Sequence, residues 1–439
     1  MTEASLGEPM AFAGRALRLA AKSRFVRDST LIYVGYCFRF VSPLLLYPLL
    51  TRTLGLDGFG LYATAYSLAL TLSVVVEYGF NLSGTRDVAL SKTSRERGEI
   101  ASKITAAKAL LAPVAALLGW GASLMNSTFV AAPGLISLSI VLGIGQGATA
   151  FWYFQGVRKI LTAVSLEIGG ALAALVGIVL MVHRPADVGM ALAMQLVGAW
   201  VSVALGTALM FREAPAQPMS LWGVLAALRD GFPLFITRAA ITIYTSASVF
   251  ILGMVAGAVQ AALYGAVERV TSALISLYRP LSAIVMPRVA VLLTTDRGKA
   301  FRLARIVLAG SAALFCLAAA VVALGAPMVV HYAFGSRFSG AAGVLQILVF
   351  TLPIIAVSQV LGVHLMVPLR FDRTVAVVIV LGGLVNLALA LALGRMGGAL
   401  GMAWARLGTE AFITAAYAFG GRAVMSELFP KRSRHVTAI

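Results

Sequence analysis

Ten ionisable residues stand inside stretches that are otherwise apolar for a full membrane thickness: Arg39, Lys108, Arg238, Arg269, Arg279 and Arg406, with Glu77, Glu167, Glu268 and Glu410. An ionised side chain near a bilayer centre costs at least ~2.5–3.5 kcal/mol, so each needs a partner or a task. Guanidinium groups present paired N–H donors that match phosphate and carboxylate oxygens. Basic residues outnumber acidic ones in this set, which predicts a cavity of net positive lining and an anionic cargo. The substrate-binding candidates are Arg39, Arg238, Arg269, Arg279 and Arg406. Arg39 sits near the middle of the first apolar stretch, and Arg238 in the seventh, its counterpart. Glu268 and Arg279 are eleven residues apart, about three helical turns, so they share a face with Ser272 and Ser276 nearby. Arg406 and Glu410, four apart, suit an ion pair on one helix face as well as they suit cargo. Lys108 is expected to snorkel to the interface one turn away, and Glu77 to pair with the basic loop that follows it.

Other chemistry finds no residues to carry it. The four histidines (His183, His331, His364, His435) are scattered, and no His/Cys/Asp/Glu spacing suits a metal. Gly143, Gly145 and Gly147 precede no Lys-Ser/Thr pair, so they read as close helix packing rather than a nucleotide loop. Cys37 and Cys316 fall within apolar stretches and read as small buried apolar residues. No catalytic residue, metal or cofactor is predicted.

The elements that must position these charges are membrane spans. Of 439 residues 60% are hydrophobic and only 12% charged, with a mean hydropathy of +0.93. A soluble domain carries roughly 25% charged residues. Each crossing needs about 20 apolar residues. Runs of that length recur at 29–50, 58–80, 104–124, 133–154, 163–182, 189–210, 232–256, 263–287, 306–325, 342–366, 375–394 and 400–420. This predicts an all-α polytopic membrane protein of about twelve helices, in two six-helix lobes around a central cavity. Twenty-five of the 35 lysines and arginines fall on the side of the termini, and only Arg52, Arg184, Arg337 and Arg395 on the other. Lys and Arg are retained in cytoplasmic loops, so both termini are expected in the cytoplasm. The net charge of +18 is mostly that topology signal, with no folded domain to present it to nucleic acid. Residues 12–27 form an amphipathic pattern suited to the anionic leaflet surface.

The chain divides into a basic cytoplasmic tail (1–28), an N-terminal six-helix lobe (29–210), a linker (211–231), a C-terminal lobe (232–420) and a second tail (421–439). The halves echo each other weakly: Gly60-Leu61-Tyr62 opens the second span and Ala262-Leu263-Tyr264 the eighth. The longest loop opposite the termini, 326–341, is short for the acceptor site of a membrane polymerase, so a transporter is expected rather than an enzyme.

Four segments carry a family resemblance. Tyr47-Pro48-Leu49-Leu50-Thr51-Arg52-Thr53-Leu54-Gly55 with Gly58-Phe59-Gly60-Leu61-Tyr62 resembles the first hairpin of bacterial polysaccharide-transport flippases of the O-antigen type. Glu77-Tyr78-Gly79-Phe80-Asn81-Leu82-Ser83-Gly84-Thr85-Arg86-Asp87 resembles the end of their second helix. Glu268-Arg269, Ser276-Leu277-Tyr278-Arg279-Pro280-Leu281-Ser282 and Met286-Pro287-Arg288 resemble the eighth, and Leu361-Gly362-Val363-His364-Leu365-Met366-Val367-Pro368-Leu369 the end of the tenth. The resemblance implies translocation of an undecaprenyl-pyrophosphate-linked oligosaccharide across the bacterial inner membrane by alternating access, for O-antigen or exopolysaccharide synthesis. It implies a polysaccharide polymerase and a chain-length regulator as partners. It also implies proton or ion coupling, for which Glu77, Glu268 and Glu410 are the candidate carboxylates. Two relatives in the same superfamily are the alternatives. A multidrug exporter would expel cations and favour acids in its cavity; a lipid-linked peptidoglycan-precursor flippase would share the charge logic.

Overall fold

The computed structural model describes residues 24–125, 129 and 132–428, with side chains from Leu45 onward except Ala423 and Glu427. The amphipathic pattern at 12–27 lies almost wholly outside these residues, as do the side chains of Cys37 and Arg39. Among the described residues all regular structure is helical. The helices are α1 (Arg24–Glu77), α2 (Phe80–Leu90), α3 (Ser94–Leu124), α4 (Pro133–Ala148), α5 (Phe151–Gly156), α6 (Ile160–Met181), α7 (Val188–Glu213) and α8 (Leu221–Tyr244). They continue with α9 (Ala247–Ala256), α10 (Ala258–Ser276), α11 (Tyr278–Thr295), α12 (Arg297–Phe334), α13 (Ala341–Leu348), α14 (Thr351–Gln359), a π-helical turn (Val360–Met366), α15 (Asp372–Gly420) and α16 (Arg422–Leu428).

Among the described residues nine stretches are long and apolar enough to cross a membrane, and α8 with α9, bent by 48°, makes a tenth. Two of the nine hold two crossings each. A helix the length of α15, 49 residues, would reach about 70 Å if straight, more than twice the hydrocarbon thickness. It turns at Gly398 (φ 54°, ψ −132°), and the amide of Asn386 reaches the hydroxyl of Thr409 at 3.0 Å across the hairpin. In α1 the turn is Gly55 (φ 69°, ψ −170°), and the rings of Tyr47 and Phe59 meet at 5.2 Å only because the chain folds back there. Positive φ is open to glycine without a Cβ clash. The described chain therefore makes twelve crossings, as expected from hydropathy, in two lobes of six.

The lobes meet at the end away from the termini, here called the far end. Gly60, opening span two, lies so close to Ala258, opening span eight, that a Cβ on it would sit 2.0 Å from the Ala258 carbonyl oxygen. Phe59 packs edge-on against Phe338 at 5.8 Å, and Arg52 donates to the Tyr332 carbonyl at 2.6 Å. Helices in lipid gain little from hydrophobic burial against each other, so close backbone approach does the joining. The glycines of span four serve the same purpose within a lobe, where Gly143 and Gly147 press on the backbone of span two. Cys316 departs from expectation: it is exposed on α12 beside exposed Leu314 and Leu317, because an apolar thiol needs no protein cover where lipid is the solvent.

Candidate functional site

Between the lobes lies a small, water-sized cavity, formed where four spans converge below the closed far end. Span one contributes Tyr47, span two Ala63 and Ser67, span seven Ser246 and Val249, and span eight Gly265, Glu268 and Arg269. The cavity exists because span seven breaks there. Thr245 leaves the helical region (φ −112°, ψ −84°), and Ser67 from the other lobe mends the gap. Its hydroxyl donates to the Ser246 carbonyl and accepts from the Phe250 N–H at 3.0 Å. Arg269 donates through Nε to the Tyr47 hydroxyl at 3.1 Å, and its guanidinium lies 5.6 Å and 5.8 Å from the ring centroids of Tyr47 and Tyr66. Glu268 approaches Arg269 at 3.7 Å and accepts from Ser272 at 2.6 Å. An arginine and a carboxylate thus face one water-sized space, each already oriented by neighbours.

A second constellation fills the C-terminal lobe beside the same break. Arg406 and Glu410 of span twelve pair at 3.0 Å, the ion pair their spacing suggested. Arg406 also donates to the Tyr244 carbonyl and lies 4.9 Å over the Tyr244 ring. Tyr244 ends α8, so a cation meets the negative end of a helix. Arg406 does not line the interlobe cavity.

The third constellation lies nearer the termini and corrects two expectations. Lys108 does not snorkel: it is 5% exposed, and its ammonium donates to the Thr149 carbonyl at 2.9 Å. Span four is interrupted at Thr149 and Ala150, between α4 and α5, so Lys108 answers carbonyls that a continuous helix would have paired. Glu77 does not pair with the following basic loop. One of its oxygens accepts from the Asn81 N–H at 2.9 Å, and the other lies 3.7 Å from Nε of Arg238 on span seven, across the lobe boundary. Tyr78 stacks on Phe235 at 4.6 Å in the same seam. Arg279 is exposed on α11, eleven residues from Glu268 toward the terminal face. Arg39 lies on α1, its side chain outside the described residues.

Several contributors carry no sequence signal of their own. Tyr47, Tyr66, Ser67 and Ser246 are ordinary residues of apolar spans until the fold brings them together. His364 is buried in the π-helical turn of span ten, 2.9 Å from the Ser282 hydroxyl and stacked on Tyr278 at 5.8 Å. Among the described residues no three His, Cys, Asp or Glu side chains gather as a metal site.

The comparisons agree with this architecture. A protein of Shigella dysenteriae assigned to O-antigen transport is 28% identical over 397 residues, covering 88% of this chain and 97% of its own. One from Escherichia coli K12, likewise assigned, is 26% identical over 379 residues, covering 85% and 91%. Among solved structures, the lipid II flippase MurJ in an inward closed conformation superposes with a TM-score of 0.70 at 12% identity, over 90% of this chain and 87% of its own. An inward-facing multidrug transporter of the MATE family gives 0.62 at 14%, over 92% and 96%. These two share the fold. Residues 25–293 match the model of the polysaccharide biosynthesis protein family, and the chain belongs to that family.

Proposed function

We propose that the protein is a flippase that carries an undecaprenyl-pyrophosphate-linked oligosaccharide repeat unit from the cytoplasmic to the periplasmic leaflet of a bacterial inner membrane, for O-antigen or exopolysaccharide assembly. One observation carries it: a cavity between two lobes, sealed at one end and containing an arginine, with further arginines toward the other end. A twelve-span bundle with one end shut suits alternating access. Twenty-five basic residues on the terminal side support a cytoplasmic position for that side, with the far-end contact then facing the periplasm. This reading assigns one lobe to 29–210 and the other to 232–420, joined by 211–231, with the tails 1–28 and 421–439 on the cytoplasmic side. Arg238 and Arg279, with Arg39, serve an anionic headgroup, and Arg269 lines the cavity beside Glu268. Arg406, held by Glu410 and a helix end, supports span seven instead. Glu77 and Glu410 are the carboxylates best placed for proton coupling, since each holds an arginine that lies on or against span seven. The reaction breaks no covalent bond, and a polymerase and chain-length regulator would take up the product.

Deleting the gene and measuring lipid-linked sugars by mass spectrometry tests the reading. Intact repeat units accumulating on the cytoplasmic side are expected; short unpolymerised chains at the surface point to a polymerase instead. Charge reversal at Arg238 or Arg279 should abolish transport with the protein still in the membrane, and unchanged transport in both removes the anionic-cargo argument. An imposed pH gradient that leaves the rate unaltered removes proton coupling.

A further inference from the structure

We infer that Glu268 reads the sugar attached to the diphosphate, while the diphosphate itself rests nearer the terminal face, at Arg238 and Arg279. The inference depends on the flippase reading and adds an order along the cavity.

The charge balance at the deep end argues first. Arg269 is already answered by Glu268 at 3.7 Å, by the Tyr47 hydroxyl and by two aromatic faces. A diphosphate placed against Arg269 would bring its negative charge alongside Glu268, and like charges in a site poor in water repel strongly. Toward the terminal face the balance reverses. There Arg238 and Arg279 stand with one carboxylate, Glu77. Accessibility runs the same way: the side chains of Glu268 and Arg269 are 19% and 26% exposed, that of Arg238 is 47%, and Arg279 is exposed.

Geometry supplies the second argument. The far end is shut, so a headgroup enters from the terminal face while its lipid chain stays in the bilayer. The sugar must therefore go deeper than the diphosphate. Glu268 and Arg279 are separated by eleven residues of span eight, about 16 Å of helix, so one lies well deeper than the other.

The carboxylate suits that sugar. Sugar hydroxyls donate hydrogen bonds, and an ionised carboxylate is a pure acceptor with about four lone-pair sites. Ser272 occupies one site on Glu268, and Arg269, 3.7 Å away, aims the group. The remaining lining (Ala63, Gly265, Val249) is small and uncharged, so it sets no second ion against the carboxylate. Glu268 would touch cargo; Ser272 and Arg269 are positioning residues.

Binding of two probes to purified protein in nanodiscs tests this: undecaprenyl diphosphate alone, and the same lipid carrying one N-acetylhexosamine. Glu268→Gln should weaken the sugar-bearing lipid about tenfold to a hundredfold, the worth of charge-assisted hydrogen bonds, and leave the bare lipid unchanged. Arg279→Gln should weaken both. Equal losses for both lipids in Glu268→Gln, or none, overturn the assignment of Glu268 and leave the flippase reading standing. Wild-type protein that binds neither lipid overturns both. Where Glu268→Gln fails to fold, Ser272→Ala frees the carboxylate without removing its charge. A loss confined to the sugar-bearing lipid supports the inference, and wild-type affinity for both probes refutes it.

Discussion

Replacing Gly60 by alanine should pry the lobes apart at the far end. A Cβ there lies 2.0 Å from the carbonyl oxygen of Ala258 and 2.6 Å from its carbonyl carbon. Ordinary contact begins at 3.4 Å, so the two backbones must part by roughly 1.4 Å along that line. Both obstructing atoms are main chain, and no rotamer change can relieve them. Overpacking of this kind costs about 1–3 kcal/mol. The cost falls only on the conformation in which these ends touch, so the balance between closed and parted far ends should move about 5- to 150-fold. Spin labels on exposed Arg184 and Met396, one in each lobe, would report the change as a growing long-distance population by double electron–electron resonance. The background needs Cys37 and Cys316 replaced by serine. Gly121→Ala, which meets nothing within 4 Å, is the matched control. A distance distribution in Gly60→Ala identical to the parent, with the same thermal unfolding, refutes the idea that this contact holds the lobes shut.

Further outcomes follow from single contacts. Lys108→Ala leaves the Thr149 carbonyl buried without its donor, and should cost about 1–3 kcal/mol in thermal unfolding of the solubilised protein. An unchanged midpoint contradicts the role given to that lysine. Ser67→Ala removes both hydrogen bonds across the break in span seven, so the Phe250 amide should exchange about tenfold faster by hydrogen-exchange mass spectrometry. Equal protection in mutant and parent argues against the seam. Asp296 caps α12, and the Lys299 backbone N–H, then the Lys299 ammonium, hold its carboxyl below the ordinary value. A depressed carboxyl stabilises above its unfolded pKa, near 3.9, and the effect fades as pH falls through the lower folded value. The start of α12 should therefore fray as pH drops below about 4 in the parent, and at every pH in Asp296→Ala. Exchange at Lys299 that does not depend on pH after correction for chemistry counts against the cap.

The twelve spans were legible because each is a local property: about twenty apolar residues, closed by a glycine, a proline or a charge. The pairing of Arg406 with Glu410 was legible for the same reason, one helical turn being a local distance. Glu77 and Arg238 were not, since their partnership depends on how two lobes are set side by side. The breaks were illegible too. Nothing at Thr149 or Thr245 marks the end of a helix, because the groups that make a break tolerable come from elsewhere: Lys108 from span three, Ser67 from span two, Arg406 from span twelve.

That dependence alters what a surplus of intramembrane cations means. The sequence offers six basic residues against four acidic ones, and a simple count assigns the excess to an anionic cargo. Lys108 and Arg406 instead face carbonyls at the ends of interrupted helices, where the backbone itself is the anion. A span broken within the membrane exposes carbonyls that lipid cannot satisfy, and a buried cation is one of the few groups that can. Broken helices and anionic cargo therefore make the same demand on composition, and only position separates them. Cations at a helix end that point away from the cavity serve the fold. On the reading proposed above, Arg238 and Arg279 are left to meet a diphosphate, while Arg269 lines the cavity beside Glu268.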